Sequence, residues 1–469
     1  MTTSGAPPQQ VRISHAQLVA KLEAAVKAGK AREALAFADA NPNAVESSAA
    51  IASAIADAAE AVGDRARAEA LQRKVLELEP GHSSTINNLA LLLIKRDAFD
   101  EAESLLRALL ASEPDHVEAR YNLGLIHLRR SELPQAEAEA RRVLALKPGH
   151  ERAPFLLGLS LLTQGRYAEG WAGFEARVLP VNAGGNVIAP NLPYPPWRGE
   201  SLAGKSILVW MEQGLGDEIM MARYAVVLKQ MGARVSWICR PAMAPLLRGV
   251  DGIDNLYVAS GSVSLPRHDY WCLPMSLPRG CGTTLQTIPS RNPYISVPAP
   301  LYDGGDLLGP AKFRVGVVWK GAAALANDRN RSLPGLETLR TLWSVPEVEF
   351  VSLQKGQGEE QGAAPPADQP LTDLAPTLTD LARTAEVIAD LDLVICVDTA
   401  VAHLAGALSK PCFVMLPAIG LDWRWGAKAA TTPWYPTLTL FRQTTPGDWE
   451  PVVARMAAAL AERSAARRQ

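Results

Sequence analysis

From about Ile13 to Arg177, apolar residues return every three or four positions among runs of Ala, Glu and Arg. That spacing predicts one amphipathic helix after another. The pattern stops at Pro180–Ser201, an Asn-, Gly- and Pro-rich stretch that predicts a linker. Beyond it, short apolar, β-rich runs alternate with amphipathic segments. One series holds Ser206–Met211, Arg234–Cys239, Asn255–Val258 and Asp269–Cys272. A second holds Phe313–Trp319, Val348–Leu353, Leu393–Val397, Cys412–Leu416 and Thr437–Phe441. Uninterrupted apolar runs predict parallel strands buried on both faces. Helices are predicted at Glu218–Gln230, Leu381–Ala389, Thr399–Leu408 and Asp448–Arg463, with a crossing at Pro274–Asp306 and a flexible surface loop at Gly362–Pro370. The pattern therefore predicts an α-helical array followed by two Rossmann-like α/β halves facing each other across a cleft.

The helical part repeats. Pro80-Gly81-His82, Pro114-Asp115-His116 and Pro148-Gly149-His150 recur at a spacing of 34 residues, as do Leu89-Ala90, Leu123-Gly124 and Leu157-Gly158. Ala102, Ala136 and Gly170 keep the same phase. This period, with small residues where paired helices approach and Pro where the second helix ends, is the tetratricopeptide (TPR) signature. The units run Ala49–His82, Ser83–His116 and Val117–His150, with a fourth from Glu151 to about Val178 and a degenerate unit or cap before Ala49. Stacked units form an α-solenoid whose groove suits extended peptide. His82, His116 and His150 lie a whole repeat apart, which predicts turn or capping residues rather than metal ligands.

Composition narrows the function classes. A chain of 469 residues suggests two to four domains. Hydrophobic content of 48% with net charge −2 argues against a nucleic-acid or membrane-surface partner. No apolar run reaches membrane-spanning length, and Met1–Gln10 has no signal-peptide core. The five cysteines are scattered and form no CxxC, which suits a reducing cytoplasm.

Candidate chemistry falls at strand-to-helix turns. In Leu391–Leu408 a strand meets Asp398-Thr399, which can cap the helix that follows, and His403 lies four residues after Thr399 on the same helix face. Such a helix N-terminus favours anions. Ser206–Met211 runs into Glu212-Gln213-Gly214-Leu215-Gly216-Asp217, a Gly-rich turn lacking the third Gly of a nicotinamide fingerprint. Lys320, Arg329 and Arg331 follow a strand end and either neutralise a phosphate or form an exposed basic loop. Gln354-Lys355-Gly356 is a candidate nucleoside pocket. Trp423, Trp425, Trp434 and Tyr435 either stack on a base or sugar, or pack a loop. No convincing DxD suggests a metal site.

Together, Glu212–Asp217 with Ala222-Arg223-Tyr224, Val318-Trp319-Lys320-Gly321 with Asn327–Ser332, and Asp398–Leu408 resemble motifs of glycosyltransferases related to the bacterial heptosyltransferases. With the TPR array in front, the chain resembles bacterial TPR–glycosyltransferases, including flagellin glycosyltransferases. The resemblance implies a GT-B fold, metal-independent sugar transfer and a nucleotide-sugar site in the C-terminal half. It implies Asp217 as general base, with a helix N-cap as the alternative and Glu212 as runner-up. It implies Gly214, Gly216, Lys320, Arg331, Gln354, Lys355, Asp398, Thr399 and His403 around the sugar donor, which is the only small-molecule partner expected. Leu416-Pro417-Ala418-Ile419-Gly420 departs from the family's usual turn and argues against a heptose. The expected organisation is residues 1–180 solenoid, 181–203 linker, 204–306 acceptor half and 307–469 sugar-donor half, with a chain beginning near Pro193 folding alone. The expected function is cytoplasmic protein O-glycosylation, with flagellin in the TPR groove and a CMP-linked nonulosonic acid such as pseudaminic acid as sugar donor. The alternatives are a glycan-directed transferase of envelope biosynthesis, or a TPR adaptor with a degenerate transferase region.

Overall fold

The structure, a computed structural model, describes residues 14–183, 187–212, 214–290, 292–297, 313–325 and 327–466. The expected boundary at 306/307 and the end of the expected crossing lie outside the described residues. The chain forms two compact units. The first comprises the residues up to Ile126 with Ala138–Pro148; the second comprises His127–Glu137 and everything from Gly149 onward.

Helix pairs follow the sequence period. Ala49–Ala61 pairs with Arg65–Leu78, Ser83–Lys95 with Phe99–Ser112, and Ala153–Thr163 with Tyr167–Phe174, and Val117–Arg129 is followed by Leu133–Leu146 in the same order. The three repeat histidines sit where each new helix begins. His116 Nδ1 accepts from Ala119 N at 3.1 Å, and His150 Nδ1 accepts from Ala153 N at 3.0 Å. His82 is the N-cap of its helix and shares a hydrogen bond with Thr85 Oγ1 at 2.8 Å. His116 and His150 each satisfy a backbone N–H at a helix start, as a capping residue does, while the His82 ring bonds only to side-chain hydroxyls there. Small residues matter most in the last pair. A Cβ on Gly158 would lie 2.4 Å from Phe174 N, and one on Gly173 would lie 2.3 Å from Pro154 O.

The α/β region holds two wholly parallel sheets. β1 (Ser206–Val209), β2 (Arg234–Cys239), β3 (Asn255–Val258) and β4 (Tyr270–Cys272) form a sheet of order β3-β2-β1-β4. β5 (Phe313–Val318), β6 (Val348–Ser352), β7 (Thr372–Asp373), β8 (Leu393–Val397), β9 (Cys412–Leu416) and β10 (Leu438–Arg442) form one of order β10-β9-β8-β5-β6-β7. In the second sheet the chain runs outward from β5 through β6 to β7. It then returns to β8 and runs the other way. That reversal opens a crevice at the carboxyl ends of β5 and β8, where ligands of such sheets bind. Register aligns Val318 with Cys396, which brings Lys320 and Asp398 to that crevice.

One core crosses the second unit. Tyr167, Trp171 and Phe174 of the last helix pair are buried with Trp237 of the first sheet's half and with Trp423, Trp434 and Tyr435 of the second. Trp171 and Trp423 meet edge to face at 5.3 Å, and Trp434 Nε1 donates to Tyr167 Oη at 2.8 Å. The sequence's division near Pro180 thus falls after a helix pair that shares the core of the α/β region. The Gly/Pro composition marks a change of secondary structure there, while burial of the aromatics joins its two sides. The expected surface loop Gly362–Pro370 is also tied down: Gln369 is buried and its Nε2 donates to Leu336 O at 3.0 Å.

Candidate functional site

After β1 the chain turns into the helix Leu215–Met221, with Gly214 as N-cap. Asp217 stands in its first turn, and its Oδ2 accepts from Gly214 N at 3.1 Å. Its Oδ1 pairs with Arg424 Nη2 from the other half. Arg424 is nearly fully buried, is also paired with Asp422 at 2.6 Å, and keeps its Nε without a hydrogen-bond partner. The cap and the charge sites therefore coexist: one carboxylate oxygen closes the turn and the other meets a guanidinium. Glu212 is also held on both oxygens, and its side chain is 0% exposed. Arg177 Nε and Nη2 reach them at 2.7 and 3.2 Å, and Met275 N donates to Oε2 at 3.0 Å.

Gly216 explains how the halves approach. A Cβ there would lie 2.6 Å from His403 Cδ2. His403, on the helix Ala400–Ala407, is buried, shares a hydrogen bond with Tyr435 Oη at 2.9 Å and lies 5.2 Å from the Trp425 ring. Burial, reinforced by the Arg424 charge, pushes its pKa down to about 3, so the ring is neutral. Thr399 caps that helix by accepting from Val401 N at 3.2 Å. The structure thus places His403 in packing between helices and Thr399 at a helix start.

The loop after β5 is braced from beneath. Gln354 is buried; its Oε1 accepts from Trp319 N and Lys320 N, both at 2.9 Å, and its Nε2 donates to Lys320 O and Gln357 O. With its amide fully used, Gln354 shapes the Lys320 loop. Lys355 Nζ donates to Glu359 and to Ala375 O. Asp328, also buried, accepts from Arg331 Nε at 3.2 Å and Ser332 Oγ at 2.8 Å. This fixes Arg331 at the rim of a cavity.

That cavity, about 390 Å³, is the feature the sequence did not reveal. Asp398, Arg331, Asn327 and Asp422 supply polar groups from the second sheet's half. Leu159 and Thr163 of the helix Ala153–Thr163, with Leu128 and Arg129, supply the opposite wall. Burial and the neighbouring Asp422 charge push the Asp398 carboxyl up to about 6, against the pull of Arg331 and Arg424. Of the expected sugar-donor residues, only Arg331 and Asp398 line this space. Arg424, Asp422 and Arg129 escaped the sequence reading. Arg424 meets Asp217, and Arg129 meets Asn327 and Gly420, all remote in the chain, whereas Asp422 pairs with Arg424 two residues on. Among the described residues there is no group of three or more His, Cys, Asp or Glu side chains that could hold a metal, and no helix long and apolar enough to cross a membrane.

Comparison with known proteins agrees with this architecture. Residues 87–151 match the tetratricopeptide repeat family, and residues 347–415 match glycosyltransferase family 9 (heptosyltransferase). Protein FlbA of Caulobacter vibrioides is 29% identical over 327 residues, which span 64% of this chain and 53% of that protein. The chain thus spans about half the length of the curated relative it matches. Among solved structures, MamA (41-end) from Desulfovibrio magneticus RS-1 is 22% identical, covering 34% of this chain and 90% of its own at a TM-score of 0.30. YrrB, a TPR protein with an unusual peptide-binding site, is 17% identical, covering 34% of this chain and 82% of its own at a TM-score of 0.30. The chain thus joins a region similar to tetratricopeptide repeats to a parallel α/β region of GT-B type that is heptosyltransferase-like over residues 347–415.

Proposed function

We propose that this chain transfers a sugar from a nucleotide-linked donor to a hydroxyl of a protein held by its TPR groove, with flagellin as the acceptor class and a CMP-linked nonulosonic acid as a candidate sugar donor. The observation that carries the reading is the polar cavity at the β5/β8 crevice. It sets Asp398 and Arg331 where α/β sheets bind ligands. Transfer needs a base on the acceptor oxygen and a stabilised phosphate leaving group. Asp217 is the candidate base. Lys320 at the rim of the crevice and the half-buried N-terminus of the helix Ala400–Ala407 are the candidate charge stabilisers. The resemblance in the sequence motifs supplies the acceptor class.

The test is intact-mass analysis of flagellin produced with and without this chain in cells that make the sugar donor. A mass increment on flagellin is the expected outcome. Transfer to an envelope glycan instead, with flagellin unchanged, would favour the glycan-directed reading, which the family 9 match supports better than it supports a protein acceptor. A specific observation favours a third reading. Both Asp217 oxygens already have protein partners, as a binding module without turnover would also show. Tight nucleotide-sugar binding with neither acceptor modified would select it.

A further inference from the structure

The cavity's chemistry is mixed in a telling way. Asp398 and Asp422 bring two carboxylates into it, and Arg331 and Arg129 bring two guanidiniums. A diphosphate would meet both carboxylates at close range, and like charges in a half-buried site repel strongly. A sugar ring meets no such conflict. Its hydroxyls donate to carboxylates and accept from guanidiniums, while its C–H faces suit leucines and an indole. The size agrees: about 390 Å³ lies near the small end of ligand sites, so it suits one part of a sugar nucleotide rather than the whole.

The opposite wall is not made by the GT-B region. Leu159 and Thr163 are one turn apart on the helix Ala153–Thr163 and so present a common face. That helix is held rigidly against the floor. Glycines 158 and 173 seat it on Tyr167–Phe174, and the latter helix packs on Trp423 and Trp434. At the corner of the helix Val117–Arg129, Arg129 O accepts from Gly420 N at 2.9 Å, and Arg129 Nη2 donates to Asn327 Oδ1 at 3.3 Å. Asn327 Nδ2 in turn donates to Gly420 O at 3.0 Å. A wall bonded to its floor at several points can discriminate by shape.

We infer that this cavity is a monosaccharide subsite, and that Leu159 and Thr163, contributed by the helical repeats, set which sugar ring fits it. The inference rests on the sugar-transfer reading above and assigns the repeats a second role beside acceptor recruitment. The wall supplies apolar contact and volume, while Asp398 and Arg331 supply polar recognition. Nucleotide binding lies elsewhere along the crevice, so the two can be separated by experiment.

Calorimetric titration of the full chain compares UDP, GDP and CMP with UDP-N-acetylglucosamine, GDP-mannose and CMP-N-acetylneuraminic acid. In the unaltered chain, one sugar nucleotide is expected to bind at least about tenfold more tightly than its bare nucleotide, the scale of a few apolar groups in a shaped pocket. Leu159→Trp fills the cavity and should remove that advantage while leaving bare-nucleotide affinity within about twofold. Leu159→Ala, which keeps the protein measurable should the larger ring prevent folding, should reduce the advantage by about three- to tenfold. Retention of the full advantage in Leu159→Ala or Leu159→Trp would overturn the inference. So would an equal loss for nucleotide and sugar nucleotide, which would put the nucleotide in the cavity. If nucleotides bind the unaltered chain but no sugar adds affinity, the subsite falls alone. If neither binds, the sugar-transfer reading falls and takes the subsite with it.

Discussion

Asp217 has one oxygen on Gly214 N and the other on Arg424. Asn in its place keeps an acceptor for the cap and loses the charge opposite the guanidinium. If Asp217 is the base, Asp217→Asn should retain sugar-nucleotide affinity and lose transfer by about 10²–10⁴-fold, read from single-turnover rates. A rate near that of the unaltered chain would remove the role, and Glu212 is the poorer heir, since its side chain is 0% exposed against 15% for Asp217. The neighbouring Glu218 is fully buried. Arg240 Nη2 lies 3.1 Å from Oε1, yet neither oxygen makes an aligned hydrogen bond. Burial pushes its carboxyl up to about 7; Asp217 adds to the rise and Arg240 opposes it. The folded value lies above the ordinary 4.5, so the folded state holds the proton more tightly. This contribution to stability is complete below about 4.5 and fades as pH rises through about 7. Glu218→Gln should therefore gain on the unaltered chain by on the order of 1–3 kcal/mol between about pH 5 and pH 8, measured by denaturant unfolding. A difference that does not change with pH would show that Glu218 ionises alike in both states. At this scale the sequence offered residue types and local turns. Asp217 was legible because its motif is contiguous. Arg424 was not, because 207 residues separate it from the carboxylate it meets.

Elements were far more legible than side-chain partners. The 34-residue phase located the first helix of three successive units, at Ala49, Ser83 and Val117, because each repeat must bury the same face in the same way. The short, mostly apolar runs located nine of the ten strands among the described residues; β7, two residues long, carries no periodic signal. What the elements do to each other depends on close approach, and single glycines decide it. The helices Leu215–Met221 and Ala400–Ala407 touch where Gly216 faces His403. Gly216→Ala puts a methyl 2.6 Å from a ring already packed against Trp425 and bonded to Tyr435. Overpacking of this kind should cost about 1–3 kcal/mol in thermal unfolding. In a His403→Ala background the same change should cost much less, because the clash partner is gone. Equal costs in the two backgrounds would mean that the helices do not meet there.

At the scale of the molecule, the reading by composition and the reading by burial part company. The Asn-, Gly- and Pro-rich Pro180–Ser201 marks where helical periodicity ends, so a chain beginning near Pro193 would be expected to fold. The packing argues otherwise. Such a chain lacks Tyr167, Trp171 and Phe174, which would bare Trp423 and Trp434 to water. It also lacks Arg177, whose side chain is 1% exposed and whose partner Glu212 is 0% exposed. Burial already pushes the Glu212 carboxyl up even beside this arginine. Removing one partner of a buried ion pair costs about 3–5 kcal/mol, a large share of the ~5–15 kcal/mol that holds an ordinary domain together. A chain beginning at Pro193 should therefore be insoluble or lack a cooperative melt, whereas one beginning at Val117 keeps the helix pairs that carry Arg129, Leu159 and the aromatic contacts. The second chain should unfold cooperatively and bind nucleotide sugars with the affinity of the full chain. If the repeats recruit a protein acceptor as proposed, its transfer to that acceptor should fall at ordinary acceptor concentrations, because the earlier repeats that would raise local acceptor concentration are missing. Scanning calorimetry, nucleotide-sugar titration and acceptor mass on both truncated chains measure these outcomes. A cooperative melt and intact sugar-nucleotide binding in the chain beginning at Pro193 would show that the last helix pair is an appendage rather than part of the transferase core.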